Sequence, residues 1–156
     1  MAIPQNGAAV IAVNKEGKIL LEKKTSSTNK WVIPGGVQEL GEDFRKVAKR
    51  ELLEETGIDY DEEKLIFIDI ATGEGRHKKY SNGDEVYNNT VLFVALDVEG
   101  EEIDISSLEY HDDGSGIYKI EKESSGYGWF DINKLPENTD DIDLINKYIK
   151  WLNNRN

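Results

Sequence analysis

The sequence predicts an α/β fold, a mixed β-sheet covered by helices on its faces. Three observations lead there: an apolar hairpin signal near the N-terminus, an acidic helix after a Pro-Gly-Gly stop, and an amphipathic helix near the C-terminus. The elements run strands, helix, strands, helix. That order lacks the regular strand and helix alternation of a doubly wound sheet. At 156 residues a single domain over residues 1–156 is expected, with roughly two thirds of the unfolded surface buried.

Ala8 to Val13 reads as a buried strand, and Asn14-Lys15-Glu16-Gly17 as a turn into Lys18 to Lys23, where Ile19 and Leu21 alternate with Leu20 and Glu22. The two strands should pair antiparallel. Trp31-Val32-Ile33 is a short apolar run stopped by Pro34-Gly35-Gly36, because proline removes a ladder donor and glycine opens unusual backbone angles. A loop is expected to follow. Asp43 to Thr56 has helix-forming composition, with Glu42 and Asp43 near its positive end and Gly57 as its stop. Leu65 to Ile70 and Val86 to Val98 read as strands joined by the polar loop Gly73 to Glu85, and Gly128-Trp129-Phe130 begins another. The last helix, Asp140 to Leu152, carries Ile142, Ile145, Tyr148, Ile149 and Leu152 at helical spacing, a stripe that reads as packing rather than chemistry.

Composition excludes several function classes. The formal charge of −12 repels nucleic-acid backbones and anionic membrane surfaces. It also opposes any phosphate-bearing substrate unless a divalent cation or a basic patch reverses the local sign. With no cysteine, disulfides, thiolate metal sites and a cysteine nucleophile are excluded. The start Met1-Ala2-Ile3-Pro4-Gln5-Asn6-Gly7 lacks a basic secretory leader and the apolar run after it is too short to span a bilayer, so a cytoplasmic protein is expected.

The acidic helix carries the chemical signal. At ~100° per residue, Phe44, Val47 and Ala48 form one stripe, with Glu51 and Glu55 inside it and Glu54 at its edge. Carboxylates on a core-facing stripe must be paired or bound to metal, since burying one alone costs several kcal/mol. Oxygen ligands select hard cations, which favours Mg²⁺ or Mn²⁺ over zinc. Arg50 could fork onto Glu42 or hold a ligand in orientation.

These residues resemble a known family. Gly36, Glu42 and Arg50-Glu51-Leu52-Leu53-Glu54-Glu55-Thr56-Gly57-Ile58 match the Nudix box, Gx5Ex7REUxEExGU, at every fixed position. The resemblance, MutT-like in character, implies an α/β/α sandwich and hydrolysis of a nucleoside diphosphate linked to some other group. It implies metal ligation by Glu51, Glu54 and Glu55 with the Gly36 carbonyl, and structural roles for Gly35, Glu42, Gly57 and Arg50. A distal carboxylate is expected from Glu123 or from Glu85, which compete for the role. Glu54, at the stripe's edge, is the first choice for the base that takes a water proton, with Arg50 assisting. Glu55, Glu85 and Glu123 are the alternatives.

For the substrate, Gly73-Glu74-Gly75-Arg76-His77-Lys78-Lys79-Tyr80 concentrates cations in an acidic chain, so Arg76, Lys78 and Tyr80, with Glu85, are expected contacts. Tyr87, Tyr127 and Trp129 could stack on a base, though packing is the commoner fate of such aromatics. The partner expected is a small nucleotide diphosphate derivative: a nucleoside triphosphate, ADP-ribose or a nucleotide sugar, or a dinucleoside polyphosphate. Nucleic acid is disfavoured except as an RNA 5′ end, a membrane is not expected, and a homodimer is left open. The competing reading is a nucleotide-sensing domain without turnover. Intact Glu51, Glu54 and Glu55 argue against it.

Overall fold

The structure, a computed structural model, describes residues 2–24, 30–99, 110–112, 117–119 and 124–155. Among the described residues ten strands occur in chain order: β1 (Ala2–Asn14), β2 (Ile19–Lys24), β3 (Trp31–Val32), β4 (Gly35–Val37), β5 (Ile66–Ala71), β6 (His77–Lys79), β7 (Glu85–Val98), β8 (Tyr110–Asp112), β9 (Ile117–Lys119) and β10 (Ser124–Phe130). The α-helices among the described residues are α1 (Phe44–Thr56), between β4 and β5, and α2 (Ile142–Asn153), after β10. The main sheet has the order β10-β2-β1-β7-β5, with β3 on β2, β4 on β1 and β6 on β7. It is mixed: β1 and β7 run parallel, while β2, β4 and β5 are antiparallel to their neighbours.

Residue alternation along the central strands explains why both sheet faces are covered. Ala8, Val10 and Ala12 of β1, Leu20 of β2 and Phe93 of β7 pack with Val47, Ala48 and Leu52 of α1. The intervening Ala9, Ile11, Val13, Ile19, Leu21 and Leu92 pack with Leu144, Ile145 and Tyr148 of α2. Period-two strands feeding two helical stripes give the expected α/β/α sandwich.

Helix α1 starts where Asp43, in extended backbone, accepts a hydrogen bond from the Lys46 N–H. It ends where Gly57 turns left-handed at φ 79° and donates to the Leu53 carbonyl. Helix α2 starts at Ile142, later than expected, because Asp141 stands before it at φ +58° with no side-chain cap bond. Three further expectations change. β1 begins at Ala2 rather than Ala8, since its exposed first half is held by the parallel ladder to β7. The polar stretch Gly73 to Glu85 contains a 3₁₀ turn at Glu74–Arg76 and strand β6, paired antiparallel to β7. Gly35–Val37 is a strand on β1, where a loop was expected. Only glycine allows that seam: a Cβ on Gly35 would stand 2.6 Å from the Ala8 carbonyl oxygen, and one on Gly7 2.3 Å from that of Gly36.

Candidate active site

The seam between β1 and β4 brings Gly35 and Gly36 under the second half of α1. The Gly35 N–H donates to Glu55 Oε2 at 2.9 Å. A Cβ on Gly36 would lie 2.4 Å from Glu51 Cδ, so the missing side chain is filled by the Glu51 carboxylate. Two of the helix glutamates therefore lean on the sheet through glycines that sit next to each other.

The apolar centre of α1 is rotated from the expected stripe. Val47, Ala48, Leu52 and Thr56 are its buried residues, while Phe44 is only partly buried against the same cluster. Glu51 and Glu55 flank that centre with side chains 14% and 8% exposed, whereas Glu54 is 59% exposed. Thr56 remains buried because its hydroxyl donates to the Leu52 carbonyl.

Arg50 organises the exposed side. It grips Glu42 in a fork, Nε to Oε2 and Nη2 to Oε1, both at 2.8 Å. It also donates to Glu51 Oε1 at 2.7 Å, Glu54 Oε2 at 3.4 Å and the Val37 carbonyl at 3.0 Å. The arginine hydrogen bond, with a backbone N–H from Glu39, lowers the Glu42 pKa to about 2. The hydrogen bonds to Glu42 and, secondarily, Glu51 in turn raise the Arg50 pKa and hold the guanidinium charged.

Sequence reasoning missed the sheet's contribution. Glu22 of β2 is fully buried, and Lys24 Nζ lies 3.2 Å from its Oε1 and 3.9 Å from Glu55 Oε1. Burial, followed by the charge of Glu22, raises the Glu55 pKa well above the usual carboxylate range, and Lys24 only partly offsets this. In sequence Glu22 reads as the polar member of an alternating strand. A sheet covered on both faces turns that position inward.

A cleft of about 510 Å³ opens beside the glycines, lined by Gly35, Gly36 and Val37, by Lys24 and Lys30, and by Gln5, Asn6 and Asn88. Arg76, Lys78 and Tyr80 line it as well. Arg76 is committed to the wall: it donates to Thr90 Oγ1 at 2.8 Å and to Asp143 Oδ2 at 3.2 Å, with Asp141 Oδ1 3.7 Å away. Lys78 Nζ sits 5.0 Å from the Tyr80 ring centroid. Glu85 is not among the lining residues and faces His77 Nε2 at 3.0 Å. Tyr127 donates its hydroxyl to the Glu55 carbonyl, and Trp129 packs with the α1 side of the core. Glu123 lies outside the described residues.

The donor set fits a hard divalent cation. Glu51, Glu54 and Glu55 offer carboxylate oxygens from one helix, two of them largely buried, over a glycine cradle. Among the described residues no three carboxylates or histidines are already gathered at metal-ligand spacing. Arg50, as the sequence allowed, and Lys24, which it did not mark, hold the carboxylates by ion pairs.

A family model for the NUDIX domain matches residues 3–152. The chain belongs to the Nudix family. The ADP-ribose pyrophosphatase of Methanocaldococcus jannaschii is 30% identical over 146 residues, 90% of this Nudix chain and 71% of that protein. Xenopus laevis Nucleoside diphosphate-linked moiety X motif 6 is 38% identical over 69 residues, 43% of this chain. The chain spans only 32% of that relative's length. In fold it resembles the MutT NUDIX hydrolase from Burkholderia pseudomallei, with a TM-score of 0.65 and 20% identity, covering 93% of this chain and 96% of that one. No described helix is long and apolar enough to cross a membrane.

Proposed function

We propose that this Nudix chain hydrolyses a diphosphate linkage in a nucleoside diphosphate joined to another group, using Mg²⁺ or Mn²⁺. The carrying observation is the pairing of two helix carboxylates with two adjacent sheet glycines, Glu51 over Gly36 and Glu55 on the Gly35 N–H, at the edge of a cleft lined by cationic side chains. Glu51, Glu54 and Glu55, with the Gly36 carbonyl, would hold the metal. Bound there, a divalent cation would neutralise phosphate oxygens and lower the pKa of a coordinated water.

The chain's own residues supply the rest. Glu54, the most exposed of the three, would take a proton from the attacking water. Arg50 orients Glu51 and Glu54 while its fork on Glu42 fixes the loop before α1. Lys24, Lys30 and Lys78 line the cleft and offset the acidic net charge where a diphosphate would lie. Tyr80 offers a ring to a base or ribose. A cytoplasmic setting goes with this small-molecule chemistry. An RNA 5′ end is disfavoured as substrate by the charge of −12.

The 30% identity to an ADP-ribose pyrophosphatase makes ADP-ribose the first substrate to try. The test is a panel of ADP-ribose, nucleotide sugars, nucleoside triphosphates, dinucleoside polyphosphates and triphosphorylated RNA, incubated with Mg²⁺ or Mn²⁺ and resolved by ³¹P NMR. Metal-dependent cleavage of a nucleotide diphosphate derivative is expected. Tight binding of one ligand without turnover of any would replace the hydrolase with a nucleotide sensor.

A further inference from the structure

The motif glutamates form the helix wall of the site, while the facing wall is the sheet, where one carboxylate belongs to no motif. Glu22 is the one charged residue among the fully buried side chains of the described residues. Alternation along β2 places it on the side of Leu20, which packs with α1, and opposite Ile19 and Leu21, which pack with α2. It therefore looks toward the helix that carries Glu51 and Glu55. One ammonium, that of Lys24, stands 3.2 Å from Glu22 and 3.9 Å from Glu55. Lys24 also lines the cleft, alongside Gly35 and Gly36.

Charge balance makes this arrangement informative. Glu22 and Glu55 share Lys24, and Glu39, Glu42, Glu51 and Glu54 share Arg50. Among the described residues six carboxylates thus meet these two cations, and the most deeply buried of the six comes from the sheet. A lysine that needed only a surface partner would not require a carboxylate sealed from solvent. A carboxylate so placed, sharing one ammonium with Glu55, suits a site that exchanges an ammonium for a stronger cation.

We propose that Glu22 is a further carboxylate ligand of the divalent-cation site, contributed by β2, and that Lys24 stands in for the metal between Glu22 and Glu55 in the metal-free chain. The inference rests on the metal-dependent reading above. It predicts competition: the ammonium and the divalent cation use the same pair of oxygens.

The experiment titrates the full chain with Mn²⁺ alone, reading free Mn²⁺ by electron paramagnetic resonance, for the unaltered protein, E22Q, E55Q and K24M. Loss of an outer contact to a metal site costs about 10- to 100-fold in affinity, and loss of a ligand at least as much. E22Q and E55Q should each weaken Mn²⁺ at least 10-fold, whereas K24M should bind it as tightly as the parent or more so. Should E22Q not fold, as judged by circular dichroism, K24M decides alone, because weaker Mn²⁺ binding there contradicts competition. Parent-like affinity in E22Q beside weakened E55Q overturns the role of Glu22 and leaves the metal reading standing. If the unaltered chain and E55Q both ignore Mn²⁺, the metal reading falls and takes Glu22 with it.

Discussion

The carboxylate of Glu51 occupies the space that a side chain on Gly36 would need, with Cδ and Oε1 each 2.4 Å from the position of a Cβ. Because the clash is with the movable end of a side chain, Gly36→Ala should cost little stability but displace Glu51. We expect a melting temperature within a few degrees of the parent and a fall in kcat of at least about tenfold, the scale of a misplaced catalytic group. A variant with parent-like turnover would show that Glu51 does not need this seat.

Gly35 and Gly7 provide the contrast. Their absent side chains would meet backbone, the Ala8 and Gly36 carbonyl oxygens at 2.6 and 2.3 Å. Gly35→Ala and Gly7→Ala should each destabilise the fold by about 1–3 kcal/mol, as overpacking does. Urea denaturation measures this, and an unchanged midpoint in both variants would mean that the β1–β4 seam opens freely.

Burial, and then the charge of Glu22, raises the Glu55 pKa above its ordinary value of 4.5. The folded metal-free chain then holds this proton more tightly than the unfolded chain does. Its stabilising effect is complete below the ordinary value and fades as pH rises toward the folded value. Metal-free protein should therefore melt at lower temperature at about pH 8 than at about pH 5.5, and Glu55→Gln should flatten that slope while weakening Mn²⁺ binding. Identical slopes in the two proteins would assign the effect elsewhere.

Glu42 works with the opposite sign. With its pKa lowered to about 2 by Arg50, its contribution is present above the ordinary carboxylate range and is lost as pH falls toward the folded value. Arg50→Lys removes the two-point grip on Glu42 and should release residues 37–42, seen as faster amide exchange there. Protection equal to the parent would leave the fork without a structural role.

Glu54 is 59% exposed and touches Arg50 at 3.4 Å, so Glu54→Gln should leave the melting temperature within about 1 °C, as surface changes do. Turnover with Mg²⁺ should drop by about two to four orders of magnitude, the range for a lost general base. Near-normal kcat would move that role to Glu55 or to a loop glutamate.

Elements with local signals were legible in sequence and elements held by distant partners were not. Asp43 and Gly57 mark α1 because a cap and a left-handed stop act within one helical turn. The first half of β1 contains Pro4, Asn6 and Gly7, poor strand formers, and becomes a strand through pairing with Glu85–Thr90, some eighty residues on. Strand β6 hides in a polar run for the same reason, as a ladder onto β7. At the site, the spacing of the motif pointed to Glu51, Glu54 and Glu55, but alternation could not show that the Glu22 side of β2 would be sealed by α1.

The glycine seam has a consequence for how this molecule could diversify. Glu51 and Glu55 rest on β4 and thereby on the central strand, whereas Arg76, Lys78 and Tyr80 come from the short turn and edge strand before β7. On the proposed reading, the carboxylates that would hold the metal and the part of the recognition surface drawn from this segment thus have separate foundations. Changes to the segment 73–85 could alter which molecule is accepted while the hydrolytic apparatus stays anchored, so a shift of specificity need not pass through an inactive ancestor.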